Sequence, residues 1–250
     1  MTRELFLEAH QAEPFLVSDN GKRPIAFLNR YNTGSMLLEL QRIAGEIDLG
    51  EALIYKERGS YVDFHYTRRF DPLTLERAAV QRSKILDVYR ECFARASVFV
   101  FTFGLCEAFY DTSAHQYLNI APMHHTEAGD ALEFRFISFD ENVKQMHRIT
   151  HILRSHGKQH IIFTVSPVPL TRTFSGVDVV VANQRAKATL IAAVHEVCAT
   201  EPDCHYFPSF EMVTHTVPSN AWLEDRQHVR EDMVKHIMNS FMRTHFVGAK

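Results

Sequence analysis

The sequence predicts a single α/β domain over residues 1–250, with three α/β/α layers around a mostly parallel sheet. Short apolar runs of strand length alternate along the chain with longer amphipathic segments of helical period. The length of 250 residues and the 46% hydrophobic content suit one core at the upper end of the usual domain size. We find no repeat or low-complexity stretch that argues for a second architecture.

Three apolar runs are predicted to be strands. Residues 97–103 run into Gly104, residues 161–165 are stopped by Ser166 and a proline, and residues 205–207 form a shorter run. Continuous apolar character over this length is typical of strands buried on both faces of a parallel sheet.

Helices are predicted between and around these strands, from apolar residues at three- and four-residue spacing. The first starts near Met36, and Thr33 or Ser35 is expected to cap it. The others are expected at residues 75–95, 140–156, 180–197 and 230–241. Lys187, in the Ala-rich fourth helix, is expected to be solvated.

Composition argues against several classes of function. A net charge of −3 with scattered Lys and Arg argues against nucleic acid as a partner. No apolar run approaches the roughly 20 residues that span a bilayer, and the first residues lack an apolar signal core, so we expect a cytoplasmic protein. The four cysteines form no CxxC pair and are expected to be reduced thiols, and the fifteen histidines show no metal-ligand spacing. We therefore expect no metal and no cofactor.

The expected sheet also indicates where chemistry takes place. Ligands of open α/β sheets bind outside the carboxyl ends of the strands, which directs attention to residues 104–107, Ser166 and the loop before the last helix. That loop contains Asp225 and His228 in a DxxH step, which can place a carboxylate beside an imidazole so that the other ring nitrogen accepts a proton. The alternative is an Asp225 near a helix N-cap and a His228 at the surface.

Several segments together resemble the GSCFA family, whose members are relatives of SGNH (GDSL-like) hydrolases. The resemblance covers about residues 25–242. The matching segments are NRYNT at 29–33, VFTFGLCEAF at 100–109, TVSPVPL at 164–170, Ala182 and Asn183 with Lys187, YFPSFE at 206–211, and the DxxH step.

This resemblance implies an SGNH-like ester hydrolase or O-acyltransferase acting on a small-molecule or glycan acyl ester. His228 would be the general base and Asp225 would orient it. Gly104, Cys106 and Asn32 would line the oxyanion and substrate pocket. Ser166, at the next strand end, is a candidate substrate contact or only a strand stop. Glu107 either fixes the loops of the site or caps a turn.

The sequence departs from the family at the nucleophile. The Gly-Ser-Cys-Phe-Ala motif that contains the presumed nucleophilic serine does not occur in it, so we expect the first strand and the nucleophile turn to be missing. Ser18 and Cys106 are weaker candidates for the attacking group, because Ser18 also fits a turn and Cys106 also fits a buried site. A non-catalytic binding module that retains the pocket is the alternative function. The sequence leaves the oligomeric state open.

Overall fold

The computed structural model describes residues 29–66 and 74–246 and shows an α/β protein. Seven helices occur in these ranges: α1 Thr33–Ile43, α2 Leu75–Arg95, α3 Phe139–Ser155, α4 Val179–Thr200, α5 Ser209–Thr214, α6 Pro218–Ala221 and α7 Glu231–His245. The strands are β1 Ile54–Glu57, β2 Ser60–Asp63, β3 Val98–Phe103, β4 Glu107–Asp111, β5 Gln116–Tyr117, β6 Leu132–Phe136, β7 His160–Val165 and β8 Cys204–Tyr206. Within this part of the chain, none of the helices combines the length and the apolar character that a bilayer crossing requires.

The chain groups into two compact units. Of the described residues, one unit contains 29–66, 74–97 and 108–137, and the other contains 98–107 and 138–246. The prediction of one domain over residues 1–250 also covers segments outside the described ranges, and it stays a prediction.

The second unit contains the parallel sheet that the sequence predicts. Its strand order is β3-β7-β8, and β7 pairs in parallel with both neighbours. The register aligns Phe103 with Val165, so β3 and β7 end at the same level. The carboxyl ends of two neighbouring strands, with Gly104 and Ser166 directly after them, therefore lie side by side.

Helices cover both faces of β7. Helix α4 packs against β7, β8 and α3, and its apolar face includes Leu190 and Val194. Ile162 belongs to another apolar cluster with Phe207 of the β8 exit and Phe241 of α7. Because side chains on both faces of β7 are buried, the strand has a continuous apolar run in the sequence.

The long helices and the main strands are confirmed, with bounds that differ from the expected ones by a few residues. Three details differ. Asn32, rather than Thr33 or Ser35, caps α1, because its backbone is extended and its side-chain oxygen accepts a hydrogen bond from the Ser35 amide. Val100 of β3 is exposed, so that strand is less buried than expected. The antiparallel strands of the first unit have no counterpart in the sequence analysis.

The described residues of the first unit form two sheets. Strands β1 and β2 form a hairpin whose turn residues, Arg58 and Gly59, both have positive φ. A second sheet has the order β5-β4-β6. Leu38 of α1, Leu53 and Phe64 are fully buried in the core of this unit.

A buried ionic cluster surrounds Glu39 of α1. Its carboxylate accepts hydrogen bonds from the Arg30 guanidinium at 2.8 Å and from His65 Nε2 at 2.5 Å. Arg42 also lies within ion-pair distance, and the Tyr66 hydroxyl donates to Glu39. The surrounding cations hold the pKa of Glu39 well below its usual range, although burial itself acts in the opposite direction.

Candidate functional site

Asp225 and His228 form a carboxylate–imidazole pair. Asp225 Oδ2 lies 2.6 Å from His228 Nδ1, while Asp225 Oδ1 accepts the backbone amides of Gln227 and His228. These bonds from His228 and Gln227 lower the pKa of Asp225 to about 2, so it is ionised at neutral pH. Within the described residues, His228 Nε2 has no hydrogen-bond partner, and 63% of the side chain is exposed. The pair therefore has the geometry of a general base with its orienting acid.

Local hydrogen bonds explain why the loop holds this shape. The Leu223 amide donates to the His228 carbonyl, and the Arg230 amide donates to the Ala221 carbonyl. Trp222 and Val229 form a bridge between the two sides of the loop and pack into the apolar cluster of α5, α6 and α7. These contacts join the two ends of the loop and hold it in one conformation.

The exit of β3 has backbone amides that find no acceptor among the described residues. Within residues 29–66 and 74–246, the amides of Gly104, Leu105 and Cys106 donate to no acceptor. Amides in such a turn are the groups that stabilise an oxyanion in acyl-transfer enzymes. Gly104 and Cys106 were both predicted to line this part of a pocket.

Lys187 joins the exits of β3 and β7. Its Nζ donates to the Gly104 carbonyl at 2.9 Å and to the Ser166 carbonyl at 2.7 Å. The expectation of a solvated Lys187 is wrong, because only 1% of the residue is exposed. Burial lowers the pKa of Lys187 to about 8, a shift that leaves mostly the ammonium form at neutral pH.

The thiol of Cys106 is fully buried. Its Sγ donates to the Ala186 carbonyl at 3.5 Å and lies 3.7 Å from Asn142 Nδ2. Burial raises the pKa of Cys106 to about 12, which disfavours the thiolate that a nucleophile requires. These facts support the interpretation of Cys106 as a packing residue rather than a nucleophile.

Glu107 holds the long loop between β7 and α4. Its carboxylate accepts the Thr173 hydroxyl at 2.7 and 2.9 Å and the Phe174 amide at 3.3 Å. Asn183 Oδ1 accepts the Leu170 amide in the same loop. Of the two roles considered for Glu107, fixing a loop is the one that these contacts support.

Ser166 uses most of its polar groups at the strand exit. Its amide donates to the Phe103 carbonyl, its carbonyl accepts from Lys187, and its hydroxyl oxygen accepts the Val168 amide at 3.3 Å. Among the described residues, the hydroxyl proton of Ser166 has no acceptor. A substrate contact by Ser166 stays a prediction.

Asn32 belongs to the first unit. Its Oδ1 caps α1, and its Nδ2 donates to the Leu118 carbonyl at 2.9 Å. The residue is 1% exposed, and both ends of its amide serve the fold. The contribution of Asn32 to a substrate pocket stays a prediction.

The described contacts form two groups. Lys187 links the exits of β3 and β7, and Glu107 links the β3 exit to the following loop. Within the described part of the chain, no hydrogen bond connects these exits with the Asp225–His228 pair. Ser18, the other candidate nucleophile, lies outside the described residues.

In the same ranges, no group of three or more His, Cys, Asp or Glu side chains is arranged to hold a metal ion. The sequence analysis named Lys187 as part of a segment that resembles the family but expected it to be solvated, although the sequence contains a signal for its burial. Lys187, Leu190, Val194 and Val197 recur at the spacing of one helix face, and all four are buried. A lysine on the apolar face of a helix is a candidate buried cation.

A family model described as the GSCFA family matches residues 11–241. No curated protein and no solved structure gives a significant match to the chain.

Proposed function

The chain belongs to the GSCFA family, and from that premise we propose that it is an SGNH-like ester hydrolase or O-acyltransferase. Its substrate would be a small-molecule or glycan acyl ester. The observation on which the proposal depends is the Asp225–His228 pair. Asp225 Oδ2 lies 2.6 Å from His228 Nδ1, and Nε2 of the ring is directed away from the carboxylate. The three-layer, SGNH-like arrangement of the sheet belongs to the same proposal.

The proposed chemistry is a two-step acyl transfer. His228 Nε2 takes the proton of a nucleophilic hydroxyl, and Asp225 stabilises the imidazolium that forms. The alkoxide attacks the ester carbonyl, and the amides of Gly104 and Cys106 stabilise the oxyanion of the tetrahedral intermediate. The intermediate expels the alcohol, which receives the proton from His228. Water or an acceptor hydroxyl then takes the acyl group by the same route.

The other residues have supporting roles in this proposal. Lys187 would keep the two strand exits in register, and Glu107 would hold the adjoining loop. Ser166 would donate a hydrogen bond from its hydroxyl to the substrate. Asn32 is assigned to the pocket only because it lies in the NRYNT segment at 29–33, which resembles the family.

A non-catalytic binding module is the second candidate. The sequence lacks the Gly-Ser-Cys-Phe-Ala motif, and the thiol of Cys106 is buried with a raised pKa. The proposal therefore assigns the nucleophile to no residue of this sequence. A module that retains amide donors at Gly104 and binds an acyl group without turnover would account for both facts.

A fluorophosphonate probe and an activated ester distinguish the two functions. An enzyme whose nucleophile lies in this sequence should give a covalent adduct, which mass spectrometry would locate, and ester turnover that falls about 10²- to 10⁴-fold in His228→Ala. The matched control is His236→Ala, an exposed histidine on α7, which should behave as the unsubstituted protein does.

Two variants of Asp225 separate its two tasks. Asp225→Asn keeps an oxygen that can accept the Gln227 and His228 amides, so the loop should persist while the orienting charge is lost. Asp225→Ala removes both. Activity that survives in Asp225→Asn and His228→Ala would contradict the enzyme proposal. Saturable binding of an acyl ester without an adduct or turnover would instead support the binding module.

A further inference from the structure

Two cysteines of the second unit lie close together. Cys198 is near the end of α4, and Cys204 is the first residue of β8. Their sulfur atoms are 3.5 Å apart, and both are reduced thiols. A disulfide requires about 2.05 Å between the sulfurs, so a shift of roughly 1.5 Å would bring them into bonding distance.

Side chains of α3 bind the segment that connects the two cysteines. Glu201 Oε1 lies 2.6 Å from His147 Nδ1, and Arg154 donates to Glu201 and to the Pro202 carbonyl. These contacts hold the short segment between α4 and β8 in one conformation. The two thiols are therefore held near each other, which gives them a high effective concentration for reaction with one another.

The two thiols differ in access and in acidity. Cys198 is partly exposed, whereas Cys204 is buried. The contact between the two thiols lowers the pKa of Cys198, and the same contact together with burial raises the pKa of Cys204. Cys198 is thus suited to attack an external disulfide, and Cys204 is suited to react second.

We propose that Cys198 and Cys204 form a dithiol site that small-molecule disulfides of the oxidised glutathione class convert into an intramolecular disulfide. The Cys198 thiolate attacks one sulfur of the oxidant and releases one glutathione thiolate, which leaves a mixed disulfide on Cys198. Cys204 then loses its proton and attacks the Cys198 sulfur, and the second glutathione leaves. The protein loses two hydrogen atoms, and the oxidant is reduced to two thiols.

The new bond would join the end of α4 to the start of β8. Helix α4 also contains Lys187, which contacts the exits of β3 and β7. Oxidation would therefore fix one end of the helix that holds these strand exits. The site itself is independent of the proposed ester chemistry, because neither cysteine takes part in it.

The test is exposure of the reduced, folded protein to oxidised glutathione, followed by thiol titration, intact mass and peptide mapping. We expect two of the four thiols to be lost, a mass decrease of two hydrogen atoms, and a cross-link between Cys198 and Cys204 that dithiothreitol reverses. Cys92→Ser is the matched control, and it should form the same cross-link.

Variants of a single cysteine test the order in which the two thiols react. Cys204→Ser, or Cys204→Ala if the serine variant does not fold, should stop at a glutathione adduct on Cys198. Cys198→Ser should form neither an adduct on Cys204 nor a cross-link. Four titratable thiols after oxidation, a cross-link that involves Cys92, or an adduct on Cys204 in Cys198→Ser would each overturn the proposal.

Discussion

Lys187 places an ammonium group between two backbone carbonyls where strands β3 and β7 end. The carbonyls of Gly104 and Ser166 both accept a hydrogen bond from Lys187 Nζ. A buried charge is costly unless it is well paired, and two charge-assisted bonds offset that cost here. The residue therefore belongs to the frame of the candidate site.

Replacement of this side chain tests its role. Lys187→Met keeps an unbranched side chain that is one atom shorter but leaves two carbonyls without their donor, so we expect a loss of about 1–3 kcal/mol in the free energy of unfolding. Urea denaturation measures it. Lys235→Met is the control, because Lys235 is exposed and its ion pair with Glu231 contributes little. Equal stability of the two variants would mean that Lys187 does not stabilise the strand exits.

At the scale of elements, α1 and β5 meet at a glycine. A Cβ added to Gly34 would lie 2.5 Å from Cδ2 of the Tyr117 ring and 2.8 Å from its Cβ. Tyr117 is buried, so it has little room to retreat. Close approach, rather than an unusual backbone angle, requires glycine at this position.

We therefore expect Gly34→Ala to destabilise the protein by about 1–3 kcal/mol through overpacking. The better helix propensity of alanine, worth about 1 kcal/mol, opposes this loss. The double variant Gly34→Ala/Tyr117→Ala removes the obstructing ring, and a thermodynamic cycle over the four proteins gives the coupling. If the changes in unfolding free energy of the two single variants add up to that of the double variant, the added Cβ at position 34 does not clash with the Tyr117 ring.

Sequence patterns predict elements well where the period is long and clear. Helices α2, α3, α4 and α7 and strands β3 and β7 follow from apolar spacing, because side-chain direction repeats with the backbone geometry. The two-residue strand β5 has no such period. Its pairing with β4 depends on contacts between distant residues, which spacing within a strand does not encode.

At the scale of the whole molecule, acid stability depends on the buried cluster of the first unit. Burial, together with the charges of Arg30 and Arg42, lowers the pKa of His65 to about 4, although Glu39 acts in the opposite direction. His65 is thus neutral at pH 7, with Nε2 donating to Glu39. Its Nδ1 is buried without a hydrogen-bond partner in the described structure.

This shift predicts how stability changes with pH. The folded-state pKa of His65 lies below the unfolded value of about 6.5, so the unfolded state binds more protons between these two values. Its contribution to the free energy of unfolding should fall as the pH falls from about 6.5 to 4, by up to about 3 kcal/mol. Denaturation at a series of pH values measures it. His65→Gln should lose this part of the pH dependence, and parallel curves for the two proteins would contradict the assignment.

The sequence by itself determined the α/β class, the main helices and strands, the family and the Asp225–His228 step, because each depends on short-range spacing or on a contiguous motif. Only the tertiary structure decided that Lys187 is buried, that Glu107 binds Thr173, and that Cys198 lies beside Cys204. The Lys187 and Glu107 contacts join segments far apart in the chain, and the cysteines meet across a turn between two elements. Such contacts are determined by the packing of elements and loops against one another. The periodicity of side chains along one element carries no information about which element it packs against.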